Sequence, residues 1–376
     1  MKLAFVLFKY FPFGGLQRDM LRIAQACQQR GHEIHIYTLS WQGEVPEGFQ
    51  VHQILVKRIT NHARYMAFYQ ELHPLLREQA MDGVVGFNKM PGLDFYYAAD
   101  PCFKEKLDTQ KNWLTRGGTR NRLFLQFEAA VFAPASRTKI LMISPQQLKV
   151  YTRHYRTPRE RIHLLPPGIS RDRMAPPDAA AQRAAFRQEF RLGPEDRLML
   201  TVGSGFKVKG LDRILRALAS LPEELRRRTR LFVIGQDNPA PFLRLAGRLG
   251  VAERMTIFPG RDDIPRFLLG ADLMVHPAYY ENTGTVLLEA LIAGLPVLTT
   301  DTCGYAFHVE RAEAGRVVRS PFDQRQLNRD LAAMLSSRDW SRWSANGVAY
   351  GLREDLYNMP ELAARIIIET IWRRAC

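Results

Sequence analysis

Residues 3–8, Leu-Ala-Phe-Val-Leu-Phe, form an unbroken apolar run ended by Lys9. A run so short and uniform predicts a strand buried on both faces. From Leu16 to Arg30 the pattern turns helical, with Leu16, Met20, Ile23, Ala24 and Cys27 on one face and Gly31 as its stop. Further strands are predicted within residues 32–39, 51–56, 82–87, 95–100 and 139–144. Such βαβ alternation implies a parallel sheet with helices on both faces.

Residues 164–180, LLPPGISRDRMAPPDAA, interrupt this rhythm with four prolines and a glycine and predict an interdomain hinge. A second series of strands follows within residues 198–204, 231–235, 255–260, 273–278 and 295–300. The chain is therefore read as α/β, with two Rossmann-like doubly wound domains facing a central cleft, spanning 1–167 and 168–355. The last helix, about 356–376, carries Ile366, Ile367 and Ile368 and is expected to pack back on the first domain.

Length agrees: 376 residues exceed one core of ordinary size. The balance of 53 basic against 38 acidic residues, a net charge of +15, predicts attraction to a polyanion, a phosphorylated substrate or an acidic membrane face. Cys27, Cys102, Cys303 and Cys376 are scattered, which fits reduced thiols and argues against a metal knuckle. The apolar start is too short for a signal peptide, and no stretch reaches the ~20 residues of a membrane helix. A cytoplasmic protein able to lie against a membrane is expected.

Ligands of open α/β sheets bind beyond the carboxyl ends of strands, so motifs there weigh most. In "GSGFKVKGLDR", Lys207 and Lys209 lie in a Gly-rich turn before a helix, a pattern suited to phosphate but equally to solvated lysines. It lacks Walker A spacing. In "YYENTGTVLLEA", seven residues separate Glu281 from Glu289. Carboxylates suit vicinal sugar hydroxyls, and helix-start amides near Gly284, Thr285 and Val286 suit a diphosphate. A loop Glu plus a solvated helical Glu is the plainer alternative. Gly260 and Arg261 follow another strand, where Asp262 or Asp263 also reads as a helix N-cap. Gly14 and Gly15 open the first helix, and Asp19, one turn on, could take a proton from a sugar hydroxyl or merely complement the helix dipole.

Together these pieces resemble the retaining GT-B glycosyltransferases of the E-x7-E type, and more narrowly the lipopolysaccharide core glucosyltransferase I group. The resemblance covers nearly the whole chain and rests on "KYFPFGGLQRD", "VVGFNKMPGLD", "LPPGI", "KGLDR", "HPAYYENTGTVLLEA" and "AGLPVLTTDTCGY". It implies a UDP-sugar donor, normally UDP-glucose, held mainly by the C-terminal domain. Glu289 would take the ribose hydroxyls. Lys209, Arg173 and the Gly14–Gly15 turn would hold the diphosphate. Glu281 and the backbone of residues 282–286 would bind the donor sugar, and Arg261 would sit at the uracil pocket. Asp100 falls where relatives carry a polar group near that sugar. Asn282 and Thr283 depart from the small apolar residues of UDP-glucose relatives, which leaves an N-acetylhexosamine donor open.

No D-x-D triad follows a strand, so no metal and no cofactor are expected. The implied acceptor is the phosphorylated heptose region of lipid A–core. Residues 104–127 interleave Lys104, Lys106, Lys111, Arg116, Arg120 and Arg122 with Trp113, Leu114, Leu123, Phe124, Leu125 and Phe127, a mixture suited to an anionic membrane surface. A second basic run spans Lys149 to Arg161, and Lys57, Arg58, His62 and Arg64 are acceptor-phosphate candidates. The rivals are a basic nucleic-acid-binding protein, which no recognised module supports, transfer to another lipid, an epimerase on the same fold, and a nicotinamide enzyme, against which the absent G-x-G-x-x-G spacing speaks.

Overall fold

The computed structural model describes residues 1–12, 14–109 and 117–375. The chain divides into two units, residues 1–168 with 357–376, and residues 169–356.

Unit 1 is built on strands β1 (Lys2–Val6), β2 (Glu33–Thr38), β3 (Phe49–Gln53), β4 (Gly83–Gly86), β5 (Phe95–Ala98), β6 (Lys139–Met142) and β7 (Ile162–Leu164). They form one sheet in the order β3-β2-β1-β4-β5-β6-β7, with parallel pairing throughout. Its helices are α1 (Gly15–Gln28), α2 (Asn61–Glu78), α3 (Phe103–Thr109), α4 (Thr119–Phe132) and α5 (Pro145–Tyr155). The uninterrupted apolar run at the start has a direct cause. Leu3, Phe5 and Leu7 enter one core, whereas Ala4, Val6 and Phe8 enter the core on the opposite face. A strand covered on both faces needs apolar residues at every position.

Unit 2 carries β8 (Arg197–Val202), β9 (Thr229–Ile234), β10 (Met255–Phe258), β11 (Leu273–His276), β12 (Val297–Thr300) and β13 (Gly315–Val318). Their order is β10-β9-β8-β11-β12-β13, again parallel. Around them lie α6 (Ala179–Glu189), α7 (Leu211–Ala219), α8 (Glu223–Arg228), α9 (Ala240–Arg248), α10 (Ile264–Gly270), α11 (Thr285–Ile292), α12 (Ala306–Arg311), α13 (Gln324–Leu335) and α14 (Trp340–Arg353). In each unit the first three strands add outward in one direction, and the chain then crosses back to lay β4 beside β1, or β11 beside β8, and continues the other way, which gives two doubly wound sheets. The edge strands β7 and β13 were missed by the pattern, because each is only three or four residues long and partly exposed.

The final helix, α15 (Met359–Ala375), belongs to unit 1 and packs on α1. Met359, Ala363, Ala364, Ile367 and Ile371 share the core of Met20, Ile23, Ala24 and Cys27. Of the three consecutive isoleucines only Ile367 is fully buried, because its neighbours point about 100° away around the helix. Gly83 on β4 makes room for Ile371, whose Cδ1 would lie 2.2 Å from a Cβ there.

Two basic segments read from the sequence change in character. Within 104–127, Lys111, Trp113, Leu114 and Arg116 lie outside the described residues. Leu123 and Phe127 are core residues of unit 1 and not part of an exposed face, because the inner stripe of α4 packs under the sheet. Phe124 is half-buried between Phe103 and Tyr65, with the Arg120 guanidinium 5.1 Å from its ring. Arg161, the end of the second basic run, is buried and donates to the carbonyls of Val131, Phe132, Ala133 and Thr138. It is a structural clamp and offers no surface charge. Among the described residues, no helix is long and apolar enough to cross a membrane.

Candidate active site

Glycines shape the turn after β8. Gly203, Gly205 and Gly210 all hold positive φ, at 135°, 78° and 81°. The Lys209 stem crosses Gly203, where a Cβ would lie 3.3 Å from Lys209 Cε. Gly210 starts α7 hard against Pro277, whose carbonyl oxygen would meet an added Cβ at 2.1 Å. The two lysines of this turn separate. Lys207 Nζ donates to Asp212 Oδ2 at 2.7 Å and to the Tyr279 hydroxyl at 2.9 Å, which engages it within the protein rather than leaving it for phosphate. Lys209 instead pairs with the Glu281 carboxylate. Burial pulls the Lys209 ammonium below its ordinary pKa.

Glu281 stands on a loop gripped from one side. Its N–H donates to the Thr302 carbonyl, Gly304 N–H donates to the Glu281 carbonyl, and Tyr305 N–H donates to the Thr283 carbonyl. Gly304 is required there, since a Cβ would lie 2.0 Å from the Asn282 carbonyl oxygen. Gly284 then opens α11 with φ of 83°, followed by Thr285 and Val286 in the first turn. The first amides of any helix lack intrahelical partners and suit an anion. Glu289 lies one turn from the end of α11 and is 7% exposed. It is not the solvated helical Glu of the plainer alternative.

One member of this cluster escaped the sequence reading. His276, the last residue of β11, is 0% exposed, and neither ring nitrogen makes a hydrogen bond. Its Nε2 lies 3.5 Å from Glu281 Oε2. Burial, aided by the Lys209 charge, pushes the imidazole down to a pKa of about 3, so it is neutral. The only sequence signal was a histidine closing an apolar strand.

Arg173 ends a single helical turn at Arg171–Arg173 that touches α11. Its Nε and Nη1 are buried without a hydrogen-bond partner, and the Asp172 carboxylate is 3.7 Å from Nε. An underused buried guanidinium is a ready anion ligand. Arg261 is bidentate to Asp263, at 2.6 and 2.7 Å, and lies over the Phe267 ring at 5.0 Å. Asp263 stands at the N-cap of α10, but its carboxylate serves Arg261 and not the helix amides.

In unit 1, Gly14 is the N-cap of α1, and a Cβ there would strike Gln17 Oε1 at 1.9 Å, whereas Gly15 opens onto free space. Asp19 lies beyond the first turn of α1 and accepts the Tyr97 hydroxyl at 2.8 Å. Asp100 is half-buried after β5, and burial raises its carboxyl pKa while Lys89 opposes the shift. Lys89 itself bonds the fully buried Glu128 at 2.6 Å. Glu128 also accepts the amides of Phe103 and Lys104 and the Tyr155 hydroxyl, and so pins the start of α3. Nothing in the sequence marked Glu128, which directly follows the stretch 104–127 that reads as basic and aromatic. Of the acceptor-phosphate candidates, Lys57 and Arg58 are exposed, and His62 and Arg64 are half-buried at the start of α2. Leu55 and Ile59, 85% and 103% exposed, flank that basic pair.

Residues 13–173 match the family described as Glycosyltransferase Family 4, and residues 182–348 match Glycosyl transferases group 1. Lipopolysaccharide glucosyltransferase WaaG of Escherichia coli (strain K12) is 47% identical over 368 residues, 98% of this chain and 98% of that protein. A crystal structure of WaaG, a glycosyltransferase involved in lipopolysaccharide biosynthesis, matches with a TM-score of 0.93 at 46% identity, covering 97% of this chain and 99% of that one. Anabaena Alr3699/HepE, solved in complex with UDP-glucose, shares the fold at a TM-score of 0.74 and 16% identity, over 98% of this chain and all of that one, 100%. The chain, with two parallel-sheet α/β units of the GT-B type, belongs to the WaaG family of lipopolysaccharide glucosyltransferases.

Proposed function

We propose that this chain transfers glucose from UDP-glucose to a heptose of the lipopolysaccharide inner core, with retention at the anomeric carbon. The observation that carries the reading is the constellation in unit 2: buried Glu289 on α11, Glu281 on the clamped loop before it, and Lys209 paired to Glu281. Glu289 accepts the two ribose hydroxyls. Glu281 and the backbone from Asn282 to Val286 bind the hydroxyls of the donor sugar. Arg261, fixed in position by its two bonds to Asp263, borders the uracil. In unit 1 the Gly14–Gly15 turn offers amides to the diphosphate, Asp19 orients or assists the acceptor hydroxyl, and Asp100 binds near the sugar.

The chemistry follows from charge. As the bond from the anomeric carbon to the diphosphate breaks, negative charge grows on the leaving oxygen and positive charge on the sugar. Lys209, Arg173 and the start of α11 stabilise the former, and preorganised cations do this without reorganising in the reaction. The acceptor oxygen attacks from the face that the diphosphate leaves, and a diphosphate oxygen takes its proton. These groups already supply the countercharge, so we expect EDTA to leave turnover unchanged. A loss restored by Mg²⁺ or Mn²⁺ would show that a metal shares the task.

Asn282 and Thr283 favour a second reading, a UDP-N-acetylhexosamine donor, since an amide and a hydroxyl can meet an acetamido group. Incubation of each labelled UDP-sugar with truncated lipopolysaccharide acceptors decides between them. The first reading requires label transfer from UDP-glucose above all others, and the anomeric coupling in the product reports retention. The acceptor is a lipid, and the exposed cations of α3 and α4 together with Lys57 and Arg58 hold the enzyme peripherally at an anionic, cytoplasmic membrane face.

A further inference from the structure

We propose that His276 is a positioning residue for Glu281, with a ring Nε2–H that takes over the Glu281 carboxylate when the donor diphosphate draws Lys209 away. The inference rests on the reading of the unit 2 site given above.

Two groups converge on one carboxylate oxygen. Lys209 pairs with Glu281 Oε2, and His276 Nε2 waits 3.5 Å from the same atom. A diphosphate carries more negative charge than one carboxylate and competes for the ammonium. Once Lys209 turns to it, Glu281, whose side chain is 16% exposed, needs another donor. A buried carboxylate without a donor is costly and poorly fixed in direction. Sugar hydroxyls can both donate and accept, so a carboxylate held by a donor from behind presents its second oxygen to them in a defined direction.

His276 meets the requirement. It sits on a strand end, where its backbone is fixed: the carbonyl accepts the Thr299 hydroxyl at 2.9 Å. The ring is fully buried, and neither nitrogen makes a hydrogen bond. Leaving a polar ring idle in the core carries a free-energy cost that an apolar side chain would not. The cost is recovered if the ring is used in the donor-bound state. A shift of under about 1 Å brings Nε2 to an ordinary hydrogen-bond distance from Oε2. The ring stays neutral, so it orients the carboxylate without adding a charge beside Lys209.

The test compares His276→Leu with His276→Gln in the full chain, where the glutamine amide can place an N–H near the Nε2 position. UDP binding is measured by calorimetry, and turnover is measured with the UDP-sugar and acceptor that the wild-type chain uses. The expected result is a fall in kcat of about 10- to 100-fold for His276→Leu, smaller than for loss of a direct oxyanion donor. UDP affinity should stay within about threefold, and His276→Gln should recover most of the rate. A wild-type rate in His276→Leu, no recovery in His276→Gln, or a parallel loss of UDP affinity would overturn the inference. Should both variants fail to fold, ¹⁵N spectra of the histidine-labelled wild-type chain decide: addition of UDP-sugar should move an Nε2–H resonance to a stronger hydrogen bond, and an unchanged resonance counts against it. A wild-type chain that binds no UDP-sugar defeats the functional reading itself, whereas an active wild type with a silent His276 defeats only this inference.

Discussion

The two glutamates of the E-x7-E segment live in different surroundings, and their substitutions should behave differently. Glu289 is buried within a helix that is itself buried, whereas Glu281 is balanced by Lys209 on a loop. Calorimetry on Glu289→Ala should show weaker binding of UDP and of every UDP-sugar. Glu281→Ala should keep its UDP affinity, because the freed Lys209 remains available to the diphosphate, and lose turnover by about 100-fold or more. Equal losses of UDP affinity in both variants would refute this division of labour. The pair was legible because two carboxylates flanking "NTGTVLL" after a strand carry a chemical pattern. The Gly-rich turn by itself did not distinguish Lys207 from Lys209, the family resemblance pointed to Lys209, and the fold gives them different partners: Asp212 and Tyr279 claim the first, Glu281 the second. His276 gave no more signal than a histidine closing an apolar strand, since its character comes from complete burial beside the carboxylate of the loop that follows.

Histidine burial also sets a pH dependence. The His276 pKa is pushed down to about 3 and that of His308 to about 4, in both cases chiefly by burial. The unfolded value is about 6.5, so between it and the folded values the unfolded chain binds more protons. The stability these neutral rings confer is complete above about pH 6.5 and falls with acidification, by up to about 1.4 kcal/mol per pH unit for each ring. Urea unfolding between pH 7 and pH 4.5 should show this loss. The slope should decrease in His308→Gln. A midpoint independent of pH over that range would contradict the assignment.

At the level of elements, α15 illustrates what a periodic pattern does and does not reveal. The Ile-Ile-Ile run announced a buried helix, but three adjacent residues cannot share one face. Packing against α1 selected Ile367, along with Ala363, Ala364 and Ile371. Ile367→Ala should destabilise the protein by about 2–5 kcal/mol, and Ile366→Ala by much less, as read by chemical denaturation. Similar losses from both would mean that the helix face is misassigned. Central strands such as β1 and β4 were recognised because burial on both faces makes them continuously apolar. The short edge strands β7 and β13 were not, because a partly exposed edge needs no such run. The segment 104–127 misled in a related way. Its composition suited a lipid surface throughout, but a helix has two sides, and Leu123 and Phe127 turn inward.

For the whole molecule, the excess of basic residues, +15, still calls for an anionic partner after Arg161, Lys207 and others are assigned to internal bonds. The exposed Arg120 and Arg122 on α4 and Lys57 and Arg58 before α2 remain available on unit 1. Cosedimentation with vesicles containing anionic phospholipid should fall when Arg120 and Arg122 are replaced by glutamate, and should weaken as salt rises, because surface charge attraction decays over a Debye length of about 10 Å at 0.1 M. Binding indifferent to salt and to both substitutions would remove the electrostatic account. Domain count and α/β class followed from alternation of strand and helix patterns and from the proline-rich stretch at 164–180. The division itself, with the chain returning to unit 1 after residue 356, depends on the partner that α15 finds.

A crystal structure of the chain soaked with UDP tests the central claim most directly. The account predicts the ribose hydroxyls on Glu289 and the phosphates at Lys209 and Arg173, with Lys209 turned from Glu281. A nucleotide bound away from residues 281–289, with the Lys209–Glu281 pair intact, would contradict it.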